Sequence, residues 1–288
     1  MRTVGEQQTL RRRLGRKGIR HDGRTLWLPK YIAKLPSPPP LVDHTSKVRD
    51  FPMLANDQLG DCVMAAFAHG ILDWTTYAST AKQPSESQVV NLYNQLSPED
   101  QGLVVLDALN YWRKPGCWGD TLYAFANLNA GNTDQAEAAI SYFGFAVIGM
   151  ALPDNQTFGP WDTDPVGPPD FNNGHCVILT GYNRAEQMFD AISWGSVMPM
   201  SYAWYSEYAG PQGQGEAYAL LSQDWLSDAG VDPDGVDWTA LQQDLKDITG
   251  VTPPPPPPPG PGPQPKPPGP GCFGLPKSLL SRLAGLPD

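Results

Sequence analysis

Cys62 and His175 are the residues whose types and settings could do chemistry together. Cys62 follows a Gly60-Asp61 turn and opens the run Cys62-Val63-Met64-Ala65-Ala66-Phe67-Ala68, which reads as a helix heading towards Trp74 and Tyr77. A thiol in the first turn of a helix feels the positive end of the macrodipole, and this favours the nucleophilic thiolate. A buried structural cysteine is the competing reading, and position alone does not separate the two. His175 ends the loop Phe171-Asn172-Asn173-Gly174 and begins the run Cys176-Val177-Ile178-Leu179. An imidazole at a strand entry beside a flexible loop can reach a cleft; taken alone it fits an ordinary, partly exposed histidine better.

The other candidates are weaker. His69 lies on the face of Cys62 but about 10 Å further along the helix, too far to act as its base, and reads as a core or supporting histidine. Cys117 sits in the turn Pro115-Gly116-Cys117-Trp118-Gly119-Asp120 and reads as structural. Cys176 follows His175 and should face the opposite side of its strand, towards the core. Four cysteines in 288 residues make no disulfide framework. No CxxC pair or His/Cys cluster has zinc spacing, so neither metal nor cofactor is expected.

The elements that must position this pair change character along the chain. Helices are expected from Cys62, from the capping pattern Ser85-Glu86-Ser87-Gln88, through residues 121–129, and over residues 134–143 with Asn132 or Thr133 as cap. Strands follow at residues 146–152, 175–181, 188–194 and 216–222. Helices first and strands afterwards, without helices between them, give an α+β fold with an antiparallel sheet.

Ten of the first 34 residues are Lys or Arg against Glu6 and Asp22, a surplus of eight positive charges. The chain total is −10, so the remainder carries −18. This pattern argues against nucleic acid as the ligand of the main body. Residues 1–34 read as a solvated basic arm that could also touch phosphates, anionic lipid or the acidic body. Leu35-Pro36-Ser37-Pro38-Pro39-Pro40 marks a boundary, and residues 35–251 form the main domain. Residues 252–271, with prolines 253–259 in succession, form a stiff Pro/Gly-rich linker. Residues 272–288 end in a short amphipathic tail, marginal as an isolated helix, which could dock to a partner and which carries Cys272. No signal-peptide run and no apolar stretch of about 20 residues is seen, so a cytoplasmic or virion-associated protein is expected.

The stretch Val42-Asp43-His44 … Pro52-Met53 … Asn56 … Gly60-Asp61-Cys62-Val63-Met64-Ala65 resembles the mature start of the papain-like cysteine peptidases. Gly174-His175-Cys176-Val177-Ile178-Leu179-Thr180-Gly181-Tyr182 is similar to that family's histidine strand, and Ser193-Trp194-Gly195 to its Ser-Trp-Gly. The three motifs occur in the family's order over residues 35–222. The resemblance implies a helical half packed on an antiparallel sheet half with a cleft between them. It makes Cys62 the nucleophile and His175 its base, acting on a peptide or protein substrate, and Trp194 a shield over the histidine's second hydrogen bond. The oxyanion amide falls on Asn56, one methylene shorter than the family's glutamine, with Gln58 as substitute. The family's histidine-orienting asparagine falls on Ile192, which has no hydrogen bond to give. Asp190, if a bulge shifts its strand, and Ser193 are the remaining candidates for that role. Leu59 replaces a family disulfide cysteine.

Three functions are compatible with these residues: a thiol hydrolase of peptide or related amide bonds, a catalytically weak or inactive papain-fold binding module in a virion or envelope assembly, and a peptidoglycan hydrolase. The missing asparagine, the proline stalk and the tail fit the second, and the general look is similar to papain-like proteins of actinobacteria and their phages. Residues 152–174 would form part of the cleft wall, and the acids Asp154, Asp162, Asp164 and Asp170 hint at basic or polar substrates.

Overall fold

The computed structural model describes residues 13–33, 37–77, 81–222 and 225. In chain order the elements are β1 (Leu26–Trp27), α1 (Pro29–Ile32), β2 (Leu41–Asp43), α2 (Cys62–Tyr77), α3 (Glu86–Leu96), α4 (Val105–Arg113), β3 (Leu122–Asn127), α5 (Thr133–Phe143) and β4 (Ala146–Ala151). They continue with β5 (Gly174–Asn183), β6 (Met188–Ser193), β7 (Ser196–Ser201), α6 (Tyr202–Tyr208) and β8 (Glu216–Ser222). The strands join one sheet in the order β1-β3-β8-β4-β5-β6-β7, with β2 added on β5. Every pairing between these strands is antiparallel except β1 with β3. Helices α2, α3 and α4 form a separate half, and α2 packs against β5. The architecture is therefore the α+β arrangement expected from the order of elements.

Helix α2 is apolar on nearly every side, and residues 62 to 75 are all buried. That pattern suits a helix enclosed by the core rather than lying on it. In its last turn, the Trp74 ring packs on Trp112 and Phe145, and the indole N–H donates to the Phe143 carbonyl at 2.8 Å. Gly70 allows Phe145 to lie against the helix, since a Cβ there would fall 2.3 Å from the ring. The expected caps are present. Ser85 and Gln88 form a reciprocal capping box on α3, and the Asn132 side chain accepts from the Gln135 N–H at the start of α5.

One expected helix is a strand. Residues 122–127 form β3, inserted between β1 and β8 and paired with Leu220 and Leu221. Leu and Ala are good helix formers, but here a buried position between two strands overrides propensity. Helix α4 went unanticipated because its N-cap is Val104, which offers no capping side chain. Its buried face (Val105, Leu106, Leu109, Trp112) has the helical spacing nonetheless. β7 contains Pro199 and lies at the sheet edge, where a missing N–H is tolerated.

Residues 13–28 lie on the body. Arg13 pairs with Asp100, Arg16 with Glu216 and Arg20 with Asp107. Leu26 and Leu28 are in the core, and β1 extends the sheet. The first twelve residues, the Pro/Gly-rich linker and the C-terminal tail with Cys272 lie outside the described residues.

Candidate active site

Cys62 begins α2 and is 1% exposed. The Asp61 carbonyl takes the Met64 and Ala65 N–H groups, so the sulfur stands at the helix mouth, where first-turn amides have no intrahelical acceptor. Burial pushes the thiol up to about 12, although backbone N–H groups of Cys176 and Gly15 reach the sulfur and pull the other way. The nearby Asp61 adds to the rise and Arg16 opposes it. The helix-terminus argument for a thiolate is thus outweighed by what covers the sulfur.

His175 enters from the sheet half as the second residue of β5, paired with Met150 of β4. Cys62 opens the helix that packs on β5 and His175 is the second residue of that strand, so the two residues belong to the same junction between α2 and β5. The Nε2 atom of His175 lies 2.8 Å from the Ser193 hydroxyl. One ring face stacks on Trp194 at 4.3 Å between centroids, with planes 10° apart, and Trp161 meets it edge-on at 6.1 Å. Trp194 is 2% exposed and holds a left-handed φ of 46°, followed by Gly195 at 68°. This turn between β6 and β7 lays the indole over the imidazole.

The candidates for orienting His175 separate clearly. Ile192 pairs with Ile178 as the last pair of the β5–β6 ladder, and Ser193 at the strand end is the residue that reaches the ring. The ladder does carry a register irregularity between Leu179 and Gly181. That shift does not bring Asp190 to the histidine. Asp190 pairs with Gly181, six residues along β5 from His175 and about 20 Å away by strand rise.

Asn56 is buried and donates its side-chain amide to Asp61 Oδ1 at 3.0 Å, beside the nucleophile position. Asp61 is fully enclosed, and burial raises its carboxyl to about 7, opposed by the Asn56 hydrogen bond. Gln58 is exposed, and its backbone carbonyl accepts from Arg13. Of the two oxyanion candidates, Asn56 is the one enclosed near Cys62. His69 is buried, its Nε2 lies 2.8 Å from the Pro52 carbonyl, and burial lowers it to about 4, as suits a neutral core histidine. Cys117 is also buried, in a turn closed by hydrogen bonds to and from Asp120. No group of three or more metal-ligating side chains occurs among the described residues.

The residues missed from sequence lie across the cleft. Arg16 N–H donates to the Gly174 carbonyl at 3.0 Å, Lys17 N–H to the Leu103 carbonyl at 2.8 Å, and Leu103 N–H to the Gly15 carbonyl at 2.8 Å. The segment Leu14-Gly15-Arg16-Lys17 therefore bridges the two halves in extended form, directly over Cys62. It fits because its path is lined with glycine. A Cβ on Gly15 would fall 1.7 Å from the Gly60 carbonyl oxygen, one on Gly102 would fall 1.8 Å from the Gly15 oxygen, and one on Gly174 would fall 2.1 Å from the Arg16 oxygen. From the sequence this segment reads as part of a solvated basic arm. Its contact partners are distant in sequence, which is why the role was not legible.

No protein-family model matches the sequence, and no curated protein matches it. Among solved structures, the chain superposes on xylellain, a cysteine protease from Xylella fastidiosa, with a TM-score of 0.55 at 14% identity, over 76% of this chain and 99% of that one. The fold is that of the papain-like cysteine proteases. The Amb a 11 cysteine protease of ragweed pollen, in its proform, is a second similar structure, with a TM-score of 0.50 and 14% identity over 67% of this chain and 69% of that one. At this identity the likeness carries the papain-like fold; the chemistry has to be argued from the residues of this chain. In that fold the junction of α2 and β5 is the cleft between the halves, and the arm segment occupies it.

Proposed function

We propose that this chain is a thiol hydrolase of peptide or related amide bonds, with Cys62 as nucleophile and His175 as base. The observation that carries the reading is the convergence of both residues on one junction. Cys62 opens the helix that packs on β5, His175 is the second residue of that strand, and His175 is fixed by Ser193 and Trp194.

With Nε2 committed to Ser193, Nδ1 is the nitrogen assigned to the thiol proton. Transfer of that proton to His175 leaves a thiolate, which adds to the amide carbonyl carbon. The oxyanion is held by the Cys62 N–H, one of the unshared first-turn donors, and by the second hydrogen of the Asn56 amide. Collapse breaks the C–N bond as the imidazolium protonates the departing amine. Water, deprotonated by His175, then cleaves the thioester and returns the thiol. A serine hydroxyl orients the imidazole but brings no charge to stabilise the imidazolium, so a slower enzyme than one with a stronger orienting group is expected.

A binding module is the second reading, favoured by the covered cleft and by a Cys62 thiol raised to about 12. The test is hydrolysis of a mixed peptide library, read by mass spectrometry, in a Gly15→Val background that lifts the arm from Gly60. Cleavage abolished by Cys62→Ala supports the hydrolase; no cleavage above the Cys62→Ala control rejects it.

A further inference from the structure

Asp61 stands directly before the nucleophile position and does not do what an acid there ordinarily does. An aspartate just ahead of a helix caps it, its carboxylate accepting first-turn N–H groups. Here the Asp61 backbone carbonyl meets the N–H groups of Met64 and Ala65. The carboxyl turns instead to Asn56, whose amide donates to Oδ1 at 3.0 Å. Oδ2 is enclosed and has no hydrogen-bond partner among the described residues. The loop that brings Asn56 there is held in an unfavourable form. Leu54 and Ala55 have φ of 59° and 64°, a left-handed conformation that residues with side chains rarely adopt in succession. Leu54 is buried, and the Ala55 carbonyl accepts the Gln58 and Leu59 N–H groups at 2.8 and 2.9 Å, which keeps the turn closed. Such backbone persists where its surroundings over-determine it. What this turn delivers is one carboxamide against one carboxyl.

An enclosed carboxyl whose one side-chain partner is a neutral amide is more costly as an anion than as an acid. The charges around it reinforce that. Asp57 on the same loop and Asp100, which accepts the Gly60 N–H at 2.8 Å, are both negative. Tyr93 donates its hydroxyl to Asp100 and brings no charge. The cations of the covering segment are already paired, Arg13 with Asp100 and Arg16 with Glu216. Burial thus raises Asp61 to about 7, against the pull of the Asn56 hydrogen bond and of its own backbone N–H. With the proton on Oδ2, Oδ1 is a neutral acceptor that fixes one hydrogen of the Asn56 amide and leaves the other for the oxyanion. Ionised, the carboxyl sets a negative charge beside both anions the reaction must form, the Cys62 thiolate and the oxyanion.

We infer that Asp61 is a positioning residue of the oxyanion site, which aims the short Asn56 amide and does so productively only as the neutral acid. Hydrolysis is then confined to acidic and neutral pH. This rests on the hydrolase reading for its effect on rate, but not for the coupling of the two side chains.

Two readouts on the full chain test this, with the fold of each variant checked by circular dichroism. The first needs no turnover: the side-chain amide resonances of Asn56 in nitrogen-15-labelled wild type, assigned by their loss in Asn56→Ala. They should shift between pH 5 and pH 9 with a single midpoint of about 7, and stay fixed in Asp61→Asn. Resonances that do not move in wild type, or that move equally in Asp61→Asn, would overturn the inference. The second is the initial rate of peptide-library hydrolysis per folded molecule in the Gly15→Val background. That rate should fall at least about tenfold from pH 6.5 to pH 8.5, and Asp61→Asn, which keeps the acceptor and loses the charge, should abolish the fall. Asp61→Ala should lose about 10²-fold at pH 6.5, where Asp61→Asn keeps most of the rate. A fall that persists in Asp61→Asn, or equal losses in the two variants, would also overturn it. An Asn56 titration that depends on Asp61, with no hydrolysis above the Cys62→Ala control at any pH, would reject the hydrolase reading and leave the coupling of Asp61 to Asn56 standing.

Discussion

Cys62 and Cys117 are both buried, and burial raises both thiols to about 12, yet they are buried by different things. Cys117 is closed in by its own turn, with hydrogen bonds to and from Asp120, whose carboxylate also accepts from the Trp112 indole. Nothing there can leave without unfolding the turn. Cys62 is covered in part by Gly15, a residue 47 positions away on a segment anchored at Arg16. The neighbours of one thiol belong to its own turn, and those of the other include a segment distant in sequence. A raised thiol is therefore not evidence against catalysis until the covering group has been identified.

The comparison breaks most sharply at the chemistry itself. In the Gly15→Val background, His175→Ala should lower peptide hydrolysis by about 10²–10⁴-fold, the usual contribution of a positioned base. Cys117→Ala should leave the rate constant per folded molecule unchanged. Equal losses from the two substitutions, measured as initial rates, would mean that hydrolysis comes from elsewhere.

A second effect concerns Asp61, whose carboxyl is raised to about 7 mainly by burial. Its folded form holds the proton more tightly than the unfolded chain does. Its contribution to stability is full below about pH 4 and is lost as pH rises through 7. Asp61→Asn removes that loss, and should be more stable than wild type above pH 7 by on the order of a few kcal/mol, with the advantage vanishing towards pH 4. Urea melts at pH 4.5 and pH 8 measure this; a gain that is equal at both values would contradict it.

Smaller again is the orienting hydroxyl. Ser193→Ala in the Gly15→Val protein should cost about 2- to 10-fold in kcat, one neutral hydrogen bond, and alter the pH profile of kcat/KM while leaving KM little changed. A loss confined to KM would assign Ser193 to substrate binding. The smallest effect is expected at the exposed arm pair. Arg20→Ala should shift stability by no more than about 0.5 kcal/mol in a urea melt, whereas an exposed pair worth several times that would mean the arm is held along its whole length.

What could be read from the sequence followed locality. The helix that presents Cys62 was legible because its apolar residues are continuous, and α3 and α5 because Ser85, Gln88 and Asn132 carry their caps within three residues. β3 was misread because strand pairing with residues near 220, not local propensity, decides its form. At the site, Cys62, His175 and Trp194 were visible as motif residues. Counting back from Trp194-Gly195 put Ile192 at the orienting position, and the hydroxyl of Ser193, one residue further on, does the reaching. The buried pairing of Arg16 with Glu216 was illegible because the two are 200 residues apart and neither stands in a motif.

The most direct measurement is the pH dependence of Cys62 alkylation in Gly15→Val protein, with and without His175→Ala. The expected result is that Cys62 reacts well below the pH at which an ordinary thiol ionises, and that this reactivity is lost with the imidazole. Reaction with the pH profile of a free thiol, indifferent to the loss of His175, would contradict the pairing of these two residues.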